Sequence, residues 1–298
     1  MLFADLKNDF VFRRVFATHP EILRGLLNDL LEREGAQTIE AIEYLPSEQL
    51  PQVLGAKLSI LDVRCRDRTG TTFVVEMQLI HHPGFINRVV YNACKAYSNQ
   101  LKAGEPYAAL TDVVAISICD FELWPDDAQD RESLNRVPML SRWNMAERAS
   151  GNQGLLQVQY VFLELPKLPE RKPETGAAQW AWLFVHAPTL GAVPQDLLPG
   201  TYREALELAN QATFTQDELD AYRKTFDEIH QVHWIAEARW EAGKAEGKTD
   251  AIFAVLAARG VVVDAAIRAR IEGCSDLATL DRWLARAATA TTAADVTA

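Results

Sequence analysis

Residues 58–80, LSILDVRCRDRTGTTFVVEMQLI, predict a β-hairpin at the centre of the fold. Apolar residues alternate with polar ones along two short runs: Leu61, Val63 and Cys65 in the first, and Phe73, Val75, Met77 and Leu79 in the second. The residues between the runs, Asp67-Arg68-Thr69-Gly70, are typical of a tight turn. The two runs are therefore expected to pair antiparallel, each with one face toward a core.

Helices and further strands are predicted on both sides of this hairpin. In chain order they are a short helix carrying Phe10, Phe12 and Phe16, a leucine-rich helix from Pro20 to Gly35, a helix over 85–103, a buried strand over 112–123, a long loop over 124–154 and a strand over 155–165. From residue 176 the pattern is helical, with a long helix ending near Trp240, a flexible break at GKAEGK (243–248) and a disordered end. This order indicates an α/β or α+β core followed by a helical tail.

Composition limits the class of protein. The chain has 298 residues, of which 48% are hydrophobic and 24% charged, and these values are typical of globular proteins. No apolar run reaches the roughly 18 residues that a membrane-spanning helix needs, so no membrane association is expected. Four widely spaced cysteines fit free thiols in a reducing cytoplasm better than a disulfide framework or a zinc site.

The charge is distributed unevenly along the chain. The net charge of −11 argues at first against a nucleic-acid-binding protein. Residues 1–104 are neutral overall, however, and the whole acidic excess lies after them. Residues 55–104 contain seven basic and three acidic residues, a local net charge of +4. This stretch is where we expect a polyanion to dock.

The hairpin places two acidic residues close together. Asp62 points away from Leu61 and Val63, and Glu76 and Gln78 share one face of the second strand. A turn centred near Thr69 sets Asp62 opposite Glu76, with Cβ atoms about 5 Å apart. Two like charges at this distance repel each other unless a cation lies between them. Mg²⁺ is the predicted cation, with Mn²⁺ and Ca²⁺ as alternatives, and Gln78 would orient a water or a phosphate oxygen.

A purely structural interpretation also fits the hairpin. Both carboxylates would then be solvent-facing residues of an amphipathic hairpin, and Arg64 and Arg66 would neutralise them. Alternation by itself favours this interpretation, because an isolated D…ExQ pattern is weak evidence for a site.

Several motifs together resemble one family. The hairpin resembles the active-site hairpin of the Rpn-type recombination-promoting nuclease and transposase family, within the PD-(D/E)XK superfamily. KNDFVFRRVF (7–16) is similar to the K-x-D-x-x-F-K-x-x-F opening of that family, and NRVVYNACKAYSNQLKAGEPYAAL (87–110) is similar to its R-x-x-x-Y…Y-x-x-Q-L-x-x-G-x-x-Y block. VVAISICDFEL (113–123) and VFLELPKLPE (161–170) resemble its later core strands. The resemblance covers about residues 5–170.

The resemblance implies a fold. It implies a restriction-endonuclease-like α/β core, with a small mixed central sheet flanked by helices, plus the C-terminal helical tail. We accordingly expect a nuclease-like domain over 1–175 and a helical region with a disordered end over 176–298.

The resemblance also implies site residues. Asp62 and Glu76 would be metal ligands, with Glu21 as a candidate third ligand from an early helix. Gln78 stands where the wider superfamily has Lys, although Gln is common in the Rpn-like branch. Apart from the resemblance, Lys57, Arg88 and Lys95 are candidates for contacts to the DNA backbone; the last two lie two turns apart on one helix face. Arg88 also matches the family block, whereas ordinary surface charge explains Lys95 about as well.

These residues predict an activity. The leading hypothesis is a Mg²⁺-dependent DNA endonuclease linked to DNA recombination or transposition. The alternative is a catalytically inactive, nuclease-derived protein that binds nucleic acid or a protein partner. A homodimer is hypothesised as well, because cutting both strands of DNA needs two active sites or two visits.

Overall fold

The computed structural model describes residues 2–49, 59–125, 136–171, 173, 175–195, 197 and 200–297; for residues 49, 59, 60, 226, 229, 230 and 232–239 it describes the backbone alone. Its helices are α1 (Asp9–Phe16), α2 (Pro20–Leu31), α3 (Phe85–Ser98), α4 (Gly176–His186), α5 (Thr201–Leu208), α6 (Gln216–Ala258), α7 (Ala265–Glu272), α8 (Leu277–Ala287) and α9 (Ala293–Thr297). Its strands are β1 (Ile42–Tyr44), β2 (Glu48–Gln49), β3 (Ser59–Ile60), β4 (Val63–Asp67), β5 (Thr72–Gln78), β6 (Val113–Cys119), β7 (Leu140–Ala146) and β8 (Gln153–Glu164). None of the described helices is long and apolar enough to span a bilayer.

A six-stranded mixed sheet organises the first part of the chain, in the order β1-β4-β5-β6-β8-β7. The predicted hairpin is β4–β5, and Val63 pairs with Val75. Strands β5, β6 and β8 run parallel, whereas β1 and β7 are antiparallel to their neighbours. The start of β4 and the carboxyl ends of β5, β6 and β8 therefore lie along the same edge of the sheet.

Helices cover both faces of the sheet. Helices α1, α2, α4 and α5 pack on one face around buried aromatic residues, among them Phe12, Phe16, Trp180 and Phe184. Helix α3 packs on the other face through Phe85 and Val89. The odd positions of β5 (Phe73, Val75, Met77) face the first group of helices, as their alternation predicts, and the even positions face α3. The predicted α/β class, with a mixed sheet between helices, is confirmed.

Some element boundaries differ from those predicted. The expected strand over 58–66 is interrupted at Leu61 and Asp62, because Ser59–Ile60 pairs with β2 while Val63–Asp67 pairs with β5. Residues 124–154, expected to be a loop, contain β7 and the first residues of β8. Strand β7 lies at the sheet edge and buries little besides Ser141, so its sequence lacks the alternation of a half-buried strand.

The chain forms two compact units, Met1–Phe226 and Asp227–Ala298, and the division falls within α6. The boundary expected after residue 175 lies inside the first unit, because α4 and α5 contribute to the same core as α1 and α2. In the second unit α6 continues through GKAEGK, where a break was expected, and the chain end expected to be disordered contains α9 with Val296 buried. Apolar packing of Ile252, Leu256 and Trp283 forms the core of this unit.

Candidate active site

The site lies at the edge of the sheet where β4 begins and β5 ends. Asp62 directly precedes β4, and Val63 pairs with Val75, the residue before Glu76. The backbone N–H of Met77 donates to Asp62 Oδ2 at 2.8 Å, which holds this carboxylate against the end of β5. Gln78 is the last residue of β5 and lies on the α3 side with Glu76. The structure thus brings together Asp62, Glu76 and Gln78.

Asp62 is a largely buried carboxylate beside other acids. Its side chain is 19% exposed, and Arg13 Nη2 from α1 lies 3.4 Å from Oδ1. The pKa of Asp62 is raised to about 6, chiefly by burial and further by the nearby charges of Asp9 and Glu76, while the Met77 N–H and Arg13 act to lower it. Such a carboxylate favours the approach of a proton or of another cation.

Glu76 is held from the side of α3. Its side chain is 10% exposed, with Arg88 Nη2 at 3.9 Å from Oε2. Asn92 Nδ2 donates to Oε1 at 2.8 Å. Burial raises the pKa of Glu76, while the bond from Asn92 and the charge of Arg88 lower it. Asn92 and Arg88 are one helical turn apart, so a single face of α3 orients this carboxylate.

Gln78 is fixed at both ends of its amide. Its Nε2 donates to the carbonyl oxygen of Ile80 at 2.9 Å. Its Oε1 accepts from Arg88 Nη2. The side chain is therefore preorganised by the protein rather than free to rotate.

The model of a family described as "PD-(D/E)XK nuclease family transposase" matches residues 6–237, most of the chain. Neither the curated proteins nor the solved structures that were compared gave a match.

The chain belongs to the PD-(D/E)XK nuclease family transposases.

This membership confirms the predicted resemblance, and the match extends through α4 and α5 into α6. The mixed sheet with helices on both faces is consistent with the restriction-endonuclease-like core that the resemblance implied. The hairpin that the sequence predicted to hold the active site is β4–β5.

The arginines that neutralise the carboxylates are not those considered from the sequence. Arg66 pairs with Glu43 at 3.3 Å. Arg64 Nε is buried and, among the described residues, has no hydrogen-bond partner. The cations beside Asp62 and Glu76 are instead Arg13 and Arg88, which come from helices on opposite faces of the sheet.

The structure gives the remaining candidates different positions. Glu21 is exposed in the first turn of α2 and acts on Tyr44, whose pKa is raised by burial and then by Cys65 and Glu21. The charges that act on Asp62 do not include Glu21. Lys95 lies over the ring of Tyr91, with Nζ 5.7 Å from its centroid. Lys57 lies outside the described residues.

The side chains at this site limit how a divalent metal could be held. Within the part of the chain that the structure describes, no three or more His, Cys, Asp or Glu side chains are grouped to hold a metal ion. Two carboxylates, Asp62 and Glu76, remain at the site. Two carboxylates fit Mg²⁺, which takes its other ligands from water and substrate phosphate.

Three residues of the site were missed in the sequence. Asp9 and Arg13 are linked by a 2.9 Å ion pair on α1, and both act on Asp62. They lie within the KNDFVFRRVF motif, which was noticed only for its resemblance. Asn92 follows Arg88 by four residues, and this spacing was the one signal that it would share the face of α3 directed at Glu76.

Proposed function

We propose that this transposase-family nuclease is a Mg²⁺-dependent DNA endonuclease that acts in DNA recombination or transposition. The observation that carries the proposal is the pair Asp62 and Glu76, two largely buried carboxylates at the β4–β5 hairpin, close enough for the charge of Glu76 to act on Asp62. Holding two such charges together is unfavourable in a protein that uses them only for stability. Family membership supplies the reaction class.

The residues of this chain have separate roles in the proposal. Asp62 and Glu76 would hold the ion, which when bound lowers the pKa of a water and stabilises negative charge on a phosphodiester. Asn92 favours the ionised form of Glu76 by donating to it. Arg88 holds the Gln78 carbonyl, and its side chain, 48% exposed, is accessible to a DNA phosphate. Lys57 and Lys95 are proposed to contact the DNA backbone.

Plasmid cleavage tests the proposal. Purified protein is incubated with supercoiled plasmid in Mg²⁺, Mn²⁺, Ca²⁺ or EDTA, and nicked and linear products are measured. Wild-type protein is expected to cut in Mg²⁺ or Mn²⁺ and not in EDTA, and Asp62→Asn is expected to show only background. Glu43→Gln, an exposed acid on neighbouring β1, is the matched control and is expected to cut normally. Equal cutting by Asp62→Asn would contradict the proposed role of this residue.

A catalytically inactive binding protein is the second candidate. It is favoured by the contacts of Gln78, which stands in the Lys position of the superfamily. Both ends of its amide are already hydrogen-bonded, to Arg88 and to Ile80. Such a protein would shift labelled DNA in a gel, with an affinity that falls steeply with added salt, and would cut plasmid in none of the ions. DNA binding without cleavage therefore separates it from the endonuclease.

Location and assembly complete the proposal. The four cysteines are free thiols, as in a reducing compartment, and we place the protein in the cytoplasm. We propose a homodimer because cleavage of both strands needs two sites or two visits, and sedimentation equilibrium measures the mass directly.

A further inference from the structure

A cavity lies along the same edge of the sheet as the site. Its volume is about 460 Å³, within the roughly 300–1,000 Å³ of small-molecule pockets. It is lined by Asp120, Leu165, Pro166, Leu168, Pro169, Glu170, Trp182, Val185 and His186. Asp120 directly follows β6, and its backbone N–H donates to the carbonyl oxygen of Gln78 at 2.9 Å. One hydrogen bond thus connects the wall of this cavity to the candidate active site.

The chemistry of the walls excludes some ligands. Most of the lining residues are apolar, and two aromatic rings stand one helical turn apart on α4, with the centroids of Trp182 and His186 5.0 Å apart. The acidic residues Asp120 and Glu170 repel a phosphate, and Lys7, the cation beside Asp120, is already paired with it at 2.8 Å. The cavity therefore suits an uncharged, flat ligand better than an anion.

The polar groups specify such a ligand further. Carboxylate oxygens accept hydrogen bonds, so Asp120 and Glu170 favour a ligand that presents amino N–H donors. Bases stack on aromatic side chains, and cytosine, adenine and guanine carry exocyclic amino groups that can donate to a carboxylate. Thymine has no amino group and presents only its ring N3–H, which lies between two carbonyl oxygens that a carboxylate repels, so it fits these residues less well.

We propose that this cavity, here named the base pocket, binds an unpaired base with an amino group (cytosine, adenine or guanine) next to the DNA phosphate that is cut. The inference rests on the proposed nuclease function for its biological meaning. It assigns to Trp182 and His186 the stacking surface, and to Glu170 and Asp120 the choice between amino-bearing bases and thymine.

The test uses free deoxynucleosides, which carry no phosphate and do not need catalysis. The full-length protein is labelled with 5-fluorotryptophan and titrated in EDTA with deoxycytidine, deoxyadenosine and thymidine, and the ¹⁹F NMR spectrum is recorded. Trp182→Phe assigns the resonance of Trp182 among the seven tryptophans. This resonance is expected to shift saturably with deoxycytidine and deoxyadenosine. The affinity for thymidine is expected to be roughly fivefold weaker, which corresponds to one hydrogen bond. The Trp240 resonance, from the second unit, is expected to stay fixed.

Variants distinguish specific binding in the base pocket from nonspecific binding to the protein. Glu170→Gln is expected to reduce the preference over thymidine, whereas Glu122→Gln, the same change at an exposed position outside the cavity, is expected to keep it. Absence of a saturable Trp182 shift, equal affinity for the three nucleosides, or equal effects of the two variants would overturn the inference. Plasmid cleavage without nucleoside binding refutes the base pocket alone, and nucleoside binding without cleavage refutes the nuclease function alone.

Discussion

Asp62 is the side chain of the site whose ionised form is least favourable in the folded protein. It is nearly buried, it lies near the charges of Asp9 and Glu76, and Arg13 at 3.4 Å only partly offsets them. A folded protein gains nothing in stability from such a group when no cation is bound. The arrangement therefore predicts that removing the charge stabilises the metal-free protein and removes its activity.

This cost has a definite pH dependence. The pKa of Asp62 is raised to about 6 in the folded state, so the folded protein binds this proton more tightly than the unfolded chain does. The free energy of unfolding is therefore expected to fall as pH rises from about 4 to about 6, and to stay lower above it. Asp62→Asn lacks the titrating group and should exceed wild type by up to about 3 kcal/mol at pH 8 in EDTA, and by little at pH 4.5.

Urea unfolding at the two pH values measures this difference. Glu43→Gln serves as the control for loss of an exposed acid and is expected to follow wild type. If the difference in unfolding free energy between Asp62→Asn and wild type is the same at both pH values, Asp62 is not a buried carboxylate with a raised pKa.

Asn92 controls the protonation of the second carboxylate. Its Nδ2 donates the 2.8 Å bond that opposes the burial of Glu76. Asn92→Ala is expected to raise the pKa of Glu76, so cleavage should need a higher pH than in wild type. The pH profile of the cleavage rate measures the shift, with Asn144→Ala, an exposed asparagine of β7, as control. An unchanged profile with a lower rate at every pH would indicate a structural role for Asn92.

The sequence predicted the centre of the site but not its periphery. The turn position suffices to bring the start of β4 beside the end of β5, because pairing within one hairpin is local. Asp62 itself lies outside the paired residues and is held there by the bond from the Met77 N–H. Arg13 and Asn92 reach the site only through the packing of α1 and α3 on opposite faces of the sheet. Their positions depend on tertiary contacts that no local pattern encodes.

At the scale of elements, the end of β8 is fixed by a buried ion pair. Glu164 has no exposed surface, and Lys167 Nζ lies 3.1 Å from its Oε1. The same ammonium donates to the carbonyl oxygens of Trp124 and Val137, at 2.8 and 2.9 Å. Glu164 also accepts from the backbone of Leu123 at 2.6 Å. This network joins the carboxyl end of β8 to the segment that follows β6.

Loss of the cation should therefore be costly. Lys167→Met leaves Glu164 buried without its counter-charge and is expected to destabilise the protein by about 3–5 kcal/mol. The double variant Lys167→Met/Glu164→Gln, which removes both charges, is expected to recover part of this loss. Thermal unfolding of both variants measures the effect, and a single variant as stable as wild type would show that the pair contributes no stability.

Whether an element was predictable depends on how it is buried. The buried strand β6 appears in the sequence as a continuous apolar run, and β5 as an alternation interrupted by Val74, which is buried on the α3 side. Strand β7 was missed because it is an exposed edge. The continuity of α6 was missed because Gly243 and Gly247 each cost a helix roughly 1 kcal/mol, whereas Ala245 and Ile252 of the same helix pack into the core of the second unit.

At the scale of the whole molecule, the candidate site belongs to one unit. The residues that hold Asp62, Glu76 and Gln78 all lie within Met1–Phe226, as do the helices that cover both faces of the sheet. The unit that contains the site is therefore expected to suffice for chemistry.

Two truncations test this expectation. A chain that ends at residue 226 is expected to fold and to cut plasmid in Mg²⁺, because it retains every contact of the site. A chain that ends at residue 175, the boundary expected from the sequence, loses Trp180 and Phe184 from the core and is expected to be unfolded. Circular dichroism and plasmid cleavage measure both, and a well-folded, active 1–175 chain would show that α4 and α5 are dispensable.

The central claim is that Asp62 and Glu76 together hold a divalent cation, and oxidative mapping measures the position of that cation directly. Fe²⁺ takes the place of Mg²⁺ and, with ascorbate and hydrogen peroxide, generates radicals that cut the polypeptide beside the ion. We predict fragments that end near residues 62 and 76–78, suppressed by excess Mg²⁺ and absent from Asp62→Asn. Cuts confined to other parts of the chain, or an unchanged pattern in Asp62→Asn, would contradict the metal site.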